Sequence, residues 1–208
     1  MKVVEILAPG FEEIEALTPV DYLRRAGAEV VTLGINAEGE TFSEVITGSH
    51  GIKVLCDKSF DDYLNEVKEQ LPDCVVIPGG MPGSSNIGKN KKVIEFIKKM
   101  NEAKKFVCAI CAAPIVVLAQ TGILVGKNFT CYPGMEKRID DFIPVDLELT
   151  SSDLLNNSCL KEDEPCVREG NLVTGKGPGA AEQFSMMIVD ALFGQEVMNS
   201  VKSSSCQR

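Results

Sequence analysis

Phe106-Val107-Cys108-Ala109-Ile110-Cys111-Ala112-Ala113-Pro114 is the stretch on which the reading of this chain turns. Five apolar residues in a row predict a buried strand. Cys111 follows at once, and a helix is predicted over residues 112–120, with Pro114 in its first turn where the missing N–H costs nothing. Strand, abrupt turn and helix make a nucleophile elbow, which presents one side chain at the end of a sheet. Small residues after the turn let the backbone bend tightly. A cysteine just before a helix is expected to have its thiolate favoured by the helix dipole. That context favours a reactive Cys111 over a merely buried one. Cys108 completes a C-x-x-C spacing with Cys111, but it lies inside the strand and reads as a packing residue.

Outward from this stretch the same alternation recurs. Residues 3–7 read as a strand closed by Pro9-Gly10. A helical pattern then runs to Arg25, capped by Gly27, and residues 29–33 form the next strand. Residues 41–55 read as a β excursion turning at Gly48 and Gly51. Residues 74–77 are a strand ending in Pro78-Gly79-Gly80. Residues 91–100 form an amphipathic helix with Val93, Ile94, Ile97 and Met100 on one face. A short strand at 171–174 and a helix over 180–192 follow. The polar, acidic residues 144–169 read as an insertion or long loop, and 202–208 as a flexible tail. The pattern predicts one α/β domain over residues 1–201, with a mostly parallel sheet and helices on both faces. Three sharp turns fall at strand ends, at 78–80, 110–112 and 175–179. Ligands sit outside the carboxyl ends of strands in such sheets, so the three turns point to one site.

The bulk composition agrees. The 208 residues are 44% hydrophobic and 25% charged, as expected of a folded domain with a real core. A net charge of −9 argues against nucleic acid as a partner. The lysines from Lys89 to Lys99 read as the solvated face of a helix. Glu5 interrupts the first apolar run, so no export signal is read. The uncharged stretch 106–126 contains Pro114, Gln120, Thr121 and Gly122, and reads as strand plus buried helix rather than a membrane span. Cytoplasm is the expected location. The eight cysteines (56, 74, 108, 111, 131, 159, 166 and 206) are then expected to be free thiols. A disulfide between Cys159 and Cys166 has no supporting pattern.

Two further residues could join Cys111. Glu15 lies in Gly10-Phe11-Glu12-Glu13-Ile14-Glu15-Ala16-Leu17-Thr18-Pro19. Pro19 cannot donate to the Glu15 carbonyl, and Thr18 could cap a new helix, so a kink near Glu15 is expected to turn an acid inward. His50, the only histidine, sits in the turn Gly48-Ser49-His50-Gly51. If it reaches Cys111 it is the one base with an ordinary pKa near neutrality. No P-loop is present. Gly175-x-Gly177-x-x-Ala180 has too little chain after it for a dinucleotide domain. One histidine and scattered acids leave no set of zinc ligands. No metal and no cofactor are expected.

Four segments carry a resemblance to a known family. They are Ala8-Pro9-Gly10-Phe11-Glu12-Glu13-Ile14-Glu15, Val76-Ile77-Pro78-Gly79-Gly80-Met81-Pro82-Gly83, Ala109-Ile110-Cys111-Ala112-Ala113-Pro114 and Gly177-Pro178-Gly179. On these the chain resembles the ThiJ/PfpI superfamily over nearly its whole length. The branch is that of the parkinsonism-associated deglycase and the bacterial thiamine-biosynthesis-like proteins. The resemblance implies a flavodoxin-like fold, a homodimer, Cys111 as nucleophile and Glu15 as the acid that hydrogen-bonds it. It also implies backbone N–H groups at Gly79, Gly80 and Ala112 as the oxyanion-binding set, with Tyr132 and Gly179 as walls of the site. Many relatives carry a histidine where this chain has Tyr132. No histidine follows residue 50, so a Cys-His-Glu triad of the usual order cannot be built.

The leading expectation is a cofactor-free enzyme acting on 2-oxoaldehydes such as methylglyoxal, or on their protein adducts. The second is a redox sensor or chaperone whose Cys111 oxidises beside Glu15. A third, amide or peptide hydrolysis, is disfavoured by the missing late histidine.

Overall fold

A computed structural model describes residues 1–36, 43–68, 70–155 and 160–207. Apolar runs become strands wherever both faces are covered: β1 (Lys2–Leu7), β2 (Glu29–Gly34), β6 (Cys74–Ile77), β7 (Phe106–Ile110) and β9 (Leu172–Gly175). With the short β5 (Lys58–Ser59) and β8 (Cys166–Glu169) they form one sheet in the order β5-β2-β1-β6-β7-β9-β8. Every pairing is parallel except β8 with β9. The five central strands, numbered by their own order in the chain, run 2-1-3-4-5, the flavodoxin-like arrangement, and the order reverses between β1 and β6. Strands β3 (Val45–Thr47) and β4 (Lys53–Leu55) form a separate hairpin. This is the expected β excursion, and its first residues, Thr41 and Phe42, lie outside the described residues.

Helices cover the sheet. α1 (Glu13–Arg25) packs on α7 (Ala181–Phe193), and α7 on α8 (Gln195–Ser204). The other layer contains α2 (Phe60–Val67), α3 (Gly83–Lys89), α4 (Lys91–Glu102) and the single-turn α5 (Ala113–Val116). A 3₁₀ turn, Leu118–Thr121, follows α5, so the helix expected over 112–120 is broken after one turn. The segment 144–169 is not wholly loop. It holds a 3₁₀ turn at Val145–Leu147, the short α6 (Ser151–Leu155) with Leu154 fully buried, and the antiparallel edge strand β8. Cys159 lies outside the described residues, and Cys166 is a free thiol. α8 runs through Lys202–Ser204 and takes over the start of the expected tail, because Val201 is buried against Tyr22 and Met186. Among the described residues no helix is long and apolar enough to cross a membrane.

One core residue breaks the apolar rule. Glu5 sits mid-strand in β1, beside Thr32 of β2 and Val76 of β6, with no exposure. Neither carboxyl oxygen has a hydrogen-bond partner. Burial pushes its pKa well above the usual carboxylate range, and the neighbouring Cys74 adds to this, while the charge of Arg24 opposes it.

Candidate active site

The switch between β1 and β6 sets where the site forms. Both strands, and β7 beside them, end on the same edge of the sheet, and three turns converge there. After β7 the chain leaves the sheet through Cys111, whose φ of +65° is left-handed. A side chain in that region costs roughly 1–2 kcal/mol, which the surroundings must hold in place. They do so through two backbone bonds: Cys111 N–H donates to Gly175 O at 2.8 Å, and Tyr132 N–H donates to Cys111 O at 2.8 Å. The sulfur is left nearly buried, with 9% exposure for the residue.

Glu15 reaches this sulfur from α1. The helix is continuous from Glu13 through Pro19, so no new helix begins at Pro19 as expected. Glu12 is the N-cap instead: its Oε2 accepts the Glu15 N–H at 2.7 Å. An acid at the N-cap with a second acid three residues on places Glu15 in the first turn, pointing to the strand ends. Glu15 is fully buried. Its Oε2 accepts the Gly79 N–H at 2.9 Å, and its Oε1 has no partner. Burial pushes Glu15 up to about 7. The charge of Glu12 adds to this, while the hydrogen bonds from the Cys111 thiol and Gly79 oppose it.

The thiol moves opposite to the dipole expectation. Burial pushes Cys111 up, and the charge of Glu15 and its hydrogen bond push it further, while the N–H groups of Ala112 and Gly80 pull it back. A helix of one turn has little dipole to offer, and a carboxylate at contact outweighs it. The two groups therefore titrate as a pair that keeps one proton over a wide pH range.

The glycines serve different purposes. Gly79 has its N–H committed to Glu15, so of the three expected donors only Gly80 and Ala112 act on the sulfur. Gly79 is needed for space: a Cβ there would lie 2.5 Å from Glu15 Oε2 and 2.6 Å from Cys111 Cβ. Tyr132 is half-exposed, at 50%. It lines, with Gly177 and Gly179, a cavity of about 330 Å³. A Cβ on Gly177 would stand 3.4 Å from the Tyr132 ring and 4.0 Å from Glu15 Oε1, so this cavity adjoins the carboxyl.

His50 is directed elsewhere. Its ring is 70% exposed and its Nδ1 lies 2.7 Å from Glu13 Oε2. Glu13 also accepts the His50 and Ile52 N–H groups and the Ser49 hydroxyl. Burial alone would raise Glu13, yet these bonds, led by the His50 ring, hold it down at about 2. The same contact raises His50. Glu12, Glu13 and His50 bring ligand atoms within 4.8 Å of one another, the one such group among the described residues. With both Glu13 oxygens occupied, the group acts as a lock between α1 and the β3–β4 hairpin. His50→Gln should leave turnover at the cysteine within about twofold of the parent. A loss of tenfold or more in a folded variant would return His50 to the reacting set.

Sequence reasoning missed Glu12 and Gly177. Glu12 carried a readable signal, an acid three residues before Glu15 at a helix start. Gly177 was legible only as part of the turn at 175–179; its approach to the Tyr132 ring across the sheet end has no local signal.

The sequence model of the DJ-1/PfpI family matches residues 1–191. "Protein dj-1beta" of Drosophila melanogaster is 35% identical over 196 residues, covering 94% of this chain and 91% of that protein. The "glutathione-independent glyoxalase DJR-1.2" of Caenorhabditis elegans is 29% identical over 196 residues, covering 94% and 90%. The crystal structure of Drosophila melanogaster DJ-1beta superposes with a TM-score of 0.80 at 34% identity, covering 99% of this chain and 97% of that one.

Proposed function

This chain belongs to the DJ-1/PfpI family, and from that premise we propose that it is a cofactor-independent enzyme converting 2-oxoaldehydes to 2-hydroxy acids. One observation carries the reading: a fully buried carboxyl pushed up to about 7, with a free oxygen, held against a cysteine in a strained elbow. In the one-proton pair the thiol keeps the proton and Glu15 is the carboxylate beside it, placed to take that proton as the sulfur attacks. As Cys111 Sγ adds to the aldehyde carbon, its proton passes to Glu15 and on to the carbonyl oxygen, giving a hemithioacetal and restoring the Glu15 carboxylate. The N–H groups of Gly80 and Ala112 face this centre. Glu15 removes the hydrogen on C1 as a proton, leaving an enediolate, and returns it to C2 while the C1 hydroxyl proton passes to the C2 oxygen. The aldehyde carbon is oxidised to a thioester and the ketone carbon reduced to a carbinol, with no external redox partner. Water then cleaves the thioester, releasing the 2-hydroxy acid and the thiol. A name containing "glyoxalase" on a relative of 29% identity supports this class of reaction.

Small aldehydes fit better than protein adducts, because Cys111 is only 9% exposed. The test is lactate formation from methylglyoxal without glutathione, by the parent and by Cys111→Ala. No lactate from the parent, or equal amounts from both, would end the proposal. A redox-sensing role draws on the same pair, since a protonated Glu15 could donate to an oxidised sulfur. The described cysteines are all free thiols, which suits a reducing cytoplasm.

We also propose a homodimer. Ile14 and Leu17 on α1 and Ile52 and Leu55 by the hairpin are exposed, at 55%, 38%, 52% and 68%. The Glu13 lock ties the two elements together, so these side chains sit on neighbouring elements. Leu55→Glu should convert a dimer to a monomer in sedimentation. A parent that sediments as a monomer, or a dimer untouched by the substitution, would remove this face as the interface.

A further inference from the structure

A second, separate depression lies between α2 and α4. The ion pair between Lys92 and Asp61, at 2.8 Å, joins the amino ends of the two helices, so they run side by side. They do not close against each other along their length. The gap is a groove of about 570 Å³, within the range that drug-sized ligands occupy. Its floor is apolar: Leu64 and Val67 from α2, Leu71 from the loop before β6, and Phe96 from α4. Phe96 is held upright by an edge-to-face contact with Phe60, and the other three are only half-buried. None of these residues belongs to the Cys111 site.

The rim is what assigns an occupant. Lys68, Lys91, Lys92 and Lys99 surround the floor. Lys92 is paired with Asp61, and the one acid among the lining residues, Glu95, is paired with Lys98 at 3.2 Å. Lys68, Lys91 and Lys99 form no ion pair with a described residue. On a chain of net charge −9, a concentration of free cations around an apolar slot is locally complementary to an anion. A lysine stem can also lie along an acyl chain while its ammonium meets the head group. A purely apolar ligand would not need the rim, and a purely polar anion would not need the floor.

We propose that this groove binds a free medium-chain fatty-acid carboxylate, with the chain between α2 and α4 and the carboxylate among the rim lysines. Lining by nine residues is compact and suits one chain rather than a folded partner. This assignment does not depend on the chemistry at Cys111.

The chain contains no tryptophan, so calorimetry on the 208-residue chain is the appropriate measurement. Dodecanoate should bind once per chain, and dodecanol at least tenfold more weakly. From octanoate to dodecanoate each added CH₂ should tighten binding by roughly fourfold until the groove is full. The double variant Lys68→Glu/Lys99→Glu, which alters only surface side chains, should bind dodecanoate at least tenfold more weakly with dodecanol unchanged. Val67→Asp should weaken both, with its melting curve confirming that it is folded. Any 2-oxoaldehyde turnover should be the same in parent and lysine variant, which separates failure here from failure of the enzymatic reading. No saturable binding of dodecanoate, or equal binding of acid and alcohol, overturns the proposal. So does an unchanged affinity in the lysine variant. Binding only of an acidic helical peptide would reassign the groove to a protein partner and overturn it as well.

Discussion

Glu15→Gln should lower 2-oxoaldehyde turnover by about 10²- to 10⁴-fold, the range expected when a positioned acid–base group is removed. The amide still accepts the Gly79 N–H and fills the same space, so the fold and the Cys111 elbow should survive. What is lost is the proton shuttle between C1 and C2 of the substrate. The pH profile makes the test sharper. The doubly protonated pair has no nucleophile and no base. Losing the first proton creates the active form, and Glu15 is the group pushed up to about 7 by burial and then by Glu12. The second proton is held far above, because burial and the Glu15 charge both raise the thiol. In the parent, kcat/KM should therefore rise through about pH 7 and stay high into the alkaline range. In Glu15→Gln that limb should vanish. Alkylation of Cys111 by iodoacetamide should persist and follow the thiol alone. Turnover within about threefold of the parent would remove Glu15 from the mechanism.

The same pair shows how far sequence reading reaches. Five apolar residues, a cysteine, two alanines and a proline encode the elbow locally, and the strand, turn and helix start form where expected. The acid–base behaviour is not local. It arises from burial, and from a carboxyl on α1 brought to the sulfur by the parallel pairing of β1, β6 and β7. A dipole argument made from Ala112-Ala113-Pro114 could not know that α5 stops at Val116. Glu15 does lie beside the sulfur, but a different local feature puts it there. Pro19 does not break α1; the Glu12 N-cap sets the direction of the first turn. His50 illustrates the opposite failure. Its residue type invited a catalytic role, yet four hydrogen bonds to Glu13 hold its turn on the helix. The spacing of Phe60, Tyr63, Leu64 and Val67 would have given α2, while α8 is held mainly by contacts with α1 and α7 that no local pattern records.

Gly79 joins fold and chemistry most directly. Its N–H fixes one Glu15 oxygen, which leaves Oε1 as the free one, and its missing Cβ lets the carboxyl approach the sulfur. Burial of Glu15 is thus what both positions the group and tunes it. Under the proposed activity, the low exposure that favours small aldehydes is the same low exposure that keeps one proton between the two groups.

Glu5→Leu should stabilise the protein at pH 7, by about 1–3 kcal/mol, the usual penalty of a buried polar group left without a partner. Glu5 contributes neither to the site nor to a salt bridge; it is a carboxyl with two unpartnered oxygens inside β1. Its pKa in the folded chain lies well above the unfolded value near 4.5. Between the two values the native state holds a proton that the unfolded state has released. The unfolding free energy therefore falls as pH rises, by about 1.4 kcal/mol per pH unit for one proton. The stability is fully present below pH ~4.5 and drains away up to the folded pKa. Leucine has similar volume, so packing strain should take back only about 1 kcal/mol. The advantage over the parent should be small at pH 4.5 and grow with pH up to the folded pKa, as a widening gap in Tm. Glu5→Gln separates the two contributions. It removes the pH-dependent part but keeps an unsatisfied amide in the core, so its curve should run parallel to that of Glu5→Leu and below it. Thermal melts of the three proteins across pH 4.5–7.5 decide the matter. A constant gap between parent and Glu5→Leu would mean that Glu5 does not hold its proton in the folded state. A parent more stable than Glu5→Leu at pH 7 would mean that the carboxylate has a partner within the fold.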